Sequence, residues 1–176
     1  MNNKIKKMRI PIELKQLQKN NKDHGISCEL KGSNEDDYSN LIAKIPGPKG
    51  SPYEDGIFNL DISFGTQYPF QPPTFKFITP IYHPNIDNSG KICLDLLRMP
   101  PCGSYNPAIT LESILLSIQL LLASPNPDDP LNSEAADLYK ANKETFNIKV
   151  RQCISKSSTI PEQKNINDGP AAKRAK

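Results

Sequence analysis

The sequence predicts an α+β domain, and three observations carry that prediction. Apolar and polar residues alternate over short runs in the first half of the chain. Apolar residues return at helical spacing near the start and again after residue 110. Between these regions prolines are crowded: of 17 in the chain, 14 lie from Pro46 to Pro130. Proline breaks helix interiors and central strands alike, which excludes an all-helical bundle. Strands followed by helices, after one opening helix, is the order of an α+β fold with a four-stranded antiparallel meander. A length of 176 residues fits one domain, at roughly 100–200 residues each.

The elements follow in order. Residues 8–20 read as an amphipathic helix, with Ile10, Leu14 and Leu17 spaced along one face. Pro11 suits its first turn, where a missing N–H has no intrahelical partner. After His24-Gly25 come strand-like runs at 26–31, 39–45 and 57–64, the last alternating through Phe58, Leu60, Ile62 and Phe64. Lys31-Gly-Ser-Asn and the proline- and glycine-rich segment 46–52 separate them as turns. A fourth short strand is expected at 74–78, after Pro72-Pro73. Residues 79–110 then read as irregular, and long irregular loops inside a domain tend to carry function. Thr110 is placed to cap a helix over 111–123, whose Leu111, Ile114, Leu115, Ile118, Leu121 and Leu122 form a wide apolar stripe. Ser124-Pro125 ends it, and helices are expected at about 132–140 and 143–155. Residues 1–155 thus form the folded core, and 156–176 a basic tail with few large apolar residues, expected to be disordered.

Charge divides the same way. Residues 1–22 carry seven Lys/Arg against one acid, residues 23–154 ten against sixteen, and residues 155–176 five against two. The acidic body argues against a groove for a phosphate backbone, and leaves only weak nucleic-acid contacts through the tail. No run approaches the roughly 18–20 apolar residues of a membrane span. The first seven residues lack the apolar run of a secretory signal. Cys28, Cys93, Cys102 and Cys153 show no CxxC and no zinc-like spacing, so free thiols and no metal are expected.

Chemistry is concentrated in the long loop. Cys93 reads either as a small buried hydrophobe or as a reactive thiol. His83 is either its general base, as in a cysteine hydrolase, or a hydrogen-bonding turn residue; Asn85 by itself suits a turn. Asp128-Asp129 alone reads as a helix N-cap pair.

Taken together these residues say more. The run Tyr68-Pro-Phe-Gln-Pro-Pro73, then Tyr82-His-Pro-Asn85, then a cysteine eight residues on, resembles the ubiquitin-conjugating (E2) enzymes. So do Gly47-Pro-Lys-Gly-Ser-Pro-Tyr53 with Gly56 before it, and Pro125-Asn-Pro-Asp-Asp-Pro-Leu131 after it. The likeness covers about residues 8–155, and it implies the ubiquitin-conjugating-enzyme fold. Within the family, the extended loop 97–107 with Pro100-Pro101 and Gly103 resembles the T-type branch, which is linked to DNA crosslink repair. Leu41 stands where many members have Trp, and Met8 and Ile12 where helix lysines are common.

The resemblance implies a mechanism and partners. Cys93 would accept ubiquitin from an activating enzyme as a thioester and pass it, with a RING-type ligase, to a substrate lysine. ATP is used by the upstream activating enzyme, so no cofactor is expected here. A thiol of pKa ~8.5 is a few per cent thiolate near pH 7 and needs no histidine base for thioester exchange. The acceptor lysine needs more help: at pKa ~10.4 its neutral form lies roughly 4–5 kcal/mol uphill at pH 7. The family's carboxylates for this step match Asp129, bracketed by prolines, and Asp95. The amide of Asn85 is the expected oxyanion donor, with loop ordering as its other reading. His83 and Pro84 are expected to shape the loop and Tyr82 to line the cleft. Arg9, Pro69, Phe70, Pro107 and Ala108 match the family's surface for ligase and activating enzyme. Gly169-Pro-Ala-Ala-Lys-Arg-Ala-Lys176 resembles a monopartite nuclear import signal, which implies residence in nucleus and cytoplasm. Two alternatives keep the fold: a conjugating enzyme for another ubiquitin-like modifier, and a non-catalytic ubiquitin-binding variant.

Overall fold

The computed structural model describes residues 2–34 and 37–157. Helix α1 (Asn2–His24) leads into strands β1 (Ser27–Leu30), β2 (Asn40–Pro46), β3 (Ile57–Ser63) and β4 (Thr74–Phe77). A long connection with one 3-10 turn (Asp95–Leu97) follows, then α2 (Leu111–Ala123), α3 (Ser133–Ala141) and α4 (Lys143–Ser157). The strands pair antiparallel in sequence order, the meander that the alternation predicts. The register pairs Leu41 with Ile62 and Ala43 with Leu60, putting these apolar side chains on the one buried face.

That face is covered by α2, whose six predicted stripe residues are all buried. Thr110 caps α2 as expected, its hydroxyl oxygen accepting from the Ser113 N–H at 3.2 Å. Leu41 is fully buried in this core. No helix of the described residues is long and apolar enough to cross a membrane.

Helix α1 is longer at both ends than its apolar spacing predicts. Pro11 sits inside it, not in its first turn. The extra turn before Pro11 is held by tertiary contacts: Lys6 is buried and its Nζ donates to the Phe64 carbonyl at 2.6 Å. At the other end Asn20 and His24 both reach the Glu112 carboxylate on α2, at 2.8 and 3.2 Å. Gly25, at φ +71, then stops the helix in the left-handed conformation that glycine adopts without strain. The cap of α3 also differs from the sequence reading. Asn132, not the Asp128-Asp129 pair, accepts from the Ala135 N–H. Helix α4 continues to Ser157, so the boundary expected after residue 155 falls inside a helix. The remainder of the basic tail, with its import-like cluster, lies outside the described residues.

Candidate active site

The segment 79–110 is irregular but not loose. Short bridges join His83 to Ile86, Ile86 to Ile92, and Lys76 of β4 to Lys91. Gly90 passes so close to β4 that a Cβ would lie 2.1 Å from the Phe77 carbonyl oxygen, and its φ is +86. Glycine is the residue that fits both conditions.

His83 is fully buried, and both ring nitrogens are used. Nδ1 accepts from the Asn85 N–H at 2.9 Å and Nε2 donates to the Leu121 carbonyl at 3.0 Å. Burial pushes its pKa down to about 4, so the ring is neutral and locked in one tautomer. It has no nitrogen left for Cys93, which removes the hydrolase reading of His83 and agrees with a loop-shaping role. Pro84 contributes its carbonyl, which accepts from the N–H groups of Leu131 and Asn132, both at 2.9 Å.

Asn85 sits at the crossing of these contacts. Its backbone carbonyl accepts from the Cys93 N–H at 2.9 Å. Its side-chain amide donates to the carbonyls of Asn126 (2.6 Å) and Asp129 (3.0 Å), and its Oδ1 accepts from the Asn126 N–H (2.8 Å). Both amide hydrogens are therefore engaged, and an oxyanion could be met only after one of these bonds opened. In this arrangement Asn85 orders the loop: it staples the 126–129 turn to the segment that carries Cys93.

That staple delivers Asp129 to the thiol. The Cys93 Sγ donates to the Asp129 carboxylate at 3.1 Å, although 36 residues separate the two. Asp129 is largely exposed, so this carboxylate faces both the sulfur and solvent. Asp95 opens the 3-10 turn two residues past Cys93 and is exposed. It makes no hydrogen bond to the sulfur but adds to the negative field there. Of the two carboxylates, the structure joins Asp129 to Cys93 directly.

The thiol is less acidic than its sequence context suggests. Burial raises its pKa first, the hydrogen bond to Asp129 adds to this, and the nearby Arg98 charge opposes both; the result is about 11. The thiolate fraction near pH 7 is then on the order of 0.01%, far below the few per cent of a free thiol. Cys93 is a nucleophile only once its proton has a destination. Cys28 is also pushed up, to about 12, by burial in β1. Cys102 is exposed, and all four cysteines are free. Among the described residues no group of His, Cys, Asp and Glu could hold a metal ion.

Arg98 is the neighbour that motif reading missed. Its Nη2 lies 2.8 Å from the Cys93 Sγ, and its Nη1 lies 3.6 Å from the Asp129 Oδ2. A basic residue five positions past the cysteine was the available signal, but nothing in sequence shows that the 3-10 turn brings it back.

Tyr82 does not join this group. It turns toward the C-terminal helices, where its hydroxyl donates to Glu134 at 3.3 Å and its ring packs on Phe146. A hollow of about 630 Å³ lined by Lys31, Lys76, Tyr82 and Cys153 does not include Cys93.

The surface residues separate into two kinds. Phe70 is 60% exposed, and Pro107 and Ala108 are exposed as well. Arg9 and Pro69 support from beneath. The Arg9 guanidinium donates to the carbonyls of Pro107 and Ile109 and to Glu13, while Glu13 accepts from the Leu111 N–H at the start of α2. Pro69 is buried, and its carbonyl accepts from the Tyr105 hydroxyl at 2.7 Å. Arg9 is thus a tie between α1 and the 107–109 loop, not a free docking charge.

Comparison with known proteins agrees with this geometry. The family model described as ubiquitin-conjugating enzyme matches residues 9–154. A Xenopus laevis protein named ubiquitin-conjugating enzyme E2 T is 52% identical over 122 residues, which cover 69% of this chain and 62% of that protein. A Danio rerio protein of the same name is 42% identical over 154 residues, 81% of this chain and 78% of that one. The chain therefore spans less than two thirds of the Xenopus relative's length. Among solved structures, a Toxoplasma gondii ubiquitin-conjugating-enzyme E2 domain superposes with a TM-score of 0.72 at 38% identity, covering 82% of this chain and 92% of that one.

Proposed function

This chain belongs to the ubiquitin-conjugating enzyme family and is similar to its T type, and from that premise we propose that it accepts ubiquitin as a thioester on Cys93 and passes it to a substrate lysine. The observation that carries the reading is the Cys93 Sγ held 3.1 Å from the Asp129 carboxylate. The family frame supplies the partners: an activating enzyme that uses ATP and delivers ubiquitin, and a RING-type ligase that docks at Phe70, Pro107 and Ala108.

In the charging step Asp129 takes the thiol proton and passes it to solvent. The Cys93 sulfur bonds to the ubiquitin carbonyl carbon, and the activating enzyme's sulfur leaves with the electron pair. In the discharge step Asp129 is again the proton acceptor. It orients the lysine amine and removes the proton that makes the neutral form cost roughly 4–5 kcal/mol at pH 7. The carboxylate is largely exposed and so is accessible to an incoming lysine. Asp95 adds negative charge that attracts the ammonium form.

The T-type likeness also supports a place in DNA crosslink repair, and the basic tail supports residence in the nucleus as well as the cytoplasm. A truncation at Ser157 that leaves nuclear levels unchanged would dispose of the tail's import role.

One assay tests the central reading. The protein is incubated with activating enzyme, ATP and ubiquitin and run on a non-reducing gel. The expected band is heavier by one ubiquitin, disappears with added thiol and is absent in Cys93→Ala. An adduct formed with another ubiquitin-like modifier but not with ubiquitin moves the chain to that modifier. No adduct with any modifier rejects the transfer activity.

A further inference from the structure

We propose that Arg98 is a catalytic residue of the transfer, its guanidinium carrying the negative charge of the Cys93 sulfur in both half-reactions. The inference rests on the thioester reading for its chemistry and on three contacts for its geometry. Arg98 Nη2 is 2.8 Å from Sγ, Sγ is 3.1 Å from Asp129 Oδ2, and Arg98 Nη1 is 3.6 Å from that same carboxylate oxygen. Sulfur, cation and anion close a triangle with the reacting atom at one corner.

The arginine is held there by its backbone. Its N–H donates to the Asp95 carbonyl and its own carbonyl accepts from the Tyr105 N–H, both at 3.0 Å. Gly103 packs so tightly on this turn that a Cβ would lie 2.4 Å from the Arg98 carbonyl oxygen. A 3-10 turn, a return hydrogen bond and a close glycine thus fix the Cα from which the guanidinium reaches back. A long side chain on a fixed stem loses less freedom when it makes its contact, which is what distinguishes this residue from an ordinary surface arginine.

Two charges of opposite sign then compete for one sulfur. Asp129 hydrogen-bonds to the thiol and Asp95 adds a second negative charge; both favour the protonated state. Arg98 is the positive group that opposes them. In the charging step, Asp129 takes the thiol proton, Sγ bonds to the carbonyl carbon, and the activating enzyme's sulfur leaves with its electron pair. In the discharge step the lysine nitrogen bonds to that carbon and the C–Sγ bond breaks. The electron pair goes to Sγ, the amine proton goes to Asp129 and then to solvent, and Sγ regains a proton from water. Negative charge sits on Sγ at the start of the first step and at the end of the second. A guanidinium within hydrogen-bond distance stabilises it at both points.

The test reads the sulfur before it reads activity. Wild type, Arg98→Gln, Arg98→Lys and Asp129→Asn are alkylated with iodoacetamide from pH 7 to 11, and the adduct on the Cys93 peptide is quantified by mass spectrometry, apart from the other three cysteines. Arg98→Gln should react about tenfold more slowly at pH 8, its profile moved upward by about one pH unit. Arg98→Lys keeps the charge and should recover most of the rate. Asp129→Asn should move the profile the opposite way. Single-turnover discharge of the Cys93 thioester to free lysine should fall in Arg98→Gln by a similar factor. Alkylation profiles that coincide in wild type and Arg98→Gln overturn the proposal, as does an unchanged discharge rate. If wild type forms no thioester the functional reading fails, but the alkylation profiles still decide Arg98, because they need no ubiquitin. Arg98→Lys, which retains the cation, keeps the comparison usable should the neutral variant lose its fold.

Discussion

Asn85→Ala separates the two roles that this residue has been given. The substitution removes two hydrogen bonds donated to the carbonyls of Asn126 and Asp129 and one accepted from the Asn126 N–H. At about 1 kcal/mol net each, the loss is about 3 kcal/mol, with a range of roughly 2–4 for three hydrogen bonds that are partly buried. For a urea dependence of about 2 kcal/mol per molar, the unfolding midpoint should fall by about 1.5 M. Discharge to lysine should fall as well, since the turn bearing Asp129 is no longer stapled to the segment that carries Cys93. An oxyanion donor makes a different prediction: discharge slower by roughly 100- to 1,000-fold with stability untouched. Asn85→Asp sharpens the contrast. It keeps the acceptor but sets a carboxylate against two carbonyls, so it should destabilise at least as much as alanine. Urea denaturation followed by circular dichroism, beside single-turnover discharge, gives both numbers on one sample. A midpoint within about 0.3 M of wild type would refute the staple.

The remaining predictions concern the turns and the exposed face. His83 is held neutral with a pKa near 4 against 6.5 in the unfolded chain, so the folded state binds its proton less readily. Its contribution is full above pH 6.5 and is lost as pH falls toward 4, by up to about 1.4 kcal/mol per pH unit; a two-dimensional NMR titration should show its ring signals unmoved above pH 5. Gly103→Ala forces a Cβ to 2.4 Å from the Arg98 carbonyl and 2.5 Å from that of Asp95; relieving the overlap should cost about 1–3 kcal/mol in thermal or urea unfolding. Phe70→Ala removes a side chain that is 60% exposed; stability should stay within about 0.5 kcal/mol, while ligase-stimulated transfer falls about 30-fold if Phe70 anchors that contact. Unchanged ligase stimulation would remove Phe70 from the docking surface.

How much of this was legible beforehand depends on the reach of each interaction. The strands and α2 were legible because their signal is local: alternation in Phe58, Leu60 and Ile62, and a helical stripe from Leu111 to Leu122. The ends of α1 were not, since they depend on Lys6 reaching the Phe64 carbonyl and on Asn20 and His24 reaching Glu112. At the site, the family motifs singled out Cys93 and Asp129, and the fold joins them. The same motifs could not say which atoms of Asn85 are free, because that depends on two carbonyls about forty residues away. The intramolecular contacts of Arg9 were hidden for a related reason. A basic residue on a basic helix looks like a docking charge until the carbonyls of Pro107 and Ile109 are seen to occupy it. Tyr82 lies next to His83 in sequence yet faces the C-terminal helices.

The hydrogen bonding of one tetrapeptide explains how the exposed Asp129 carboxylate and Arg98 guanidinium can be held beside a buried thiol. Residues Tyr82 to Asn85 are hydrogen-bonded to several parts of the fold: the Tyr82 carbonyl accepts from the Tyr53 hydroxyl, His83 donates to the Leu121 carbonyl of α2, the Pro84 carbonyl accepts from the N–H groups of Leu131 and Asn132, and Asn85 accepts from the Cys93 N–H and donates to the 126–129 turn. The partners lie in the loop around Tyr53, in α2, at Cys93 and in the 126–132 segment, so shifting any one strains the others. The groups left facing outward, the Asp129 carboxylate and the Arg98 guanidinium, are long or loop-borne, and this frame fixes their stems. Prolines perform the same task from within the backbone, by fixing φ on both sides of Asp129 and in the loop beyond Arg98. A site for the transfer proposed above would take two protein substrates and has to be open, and an open site cannot rely on enclosing walls to hold its geometry. Here that geometry is carried by buried hydrogen bonds behind the site. Substitutions at His83 and Asn85 should therefore affect transfer and stability together, whereas those at Arg98 and Asp129 should affect transfer alone.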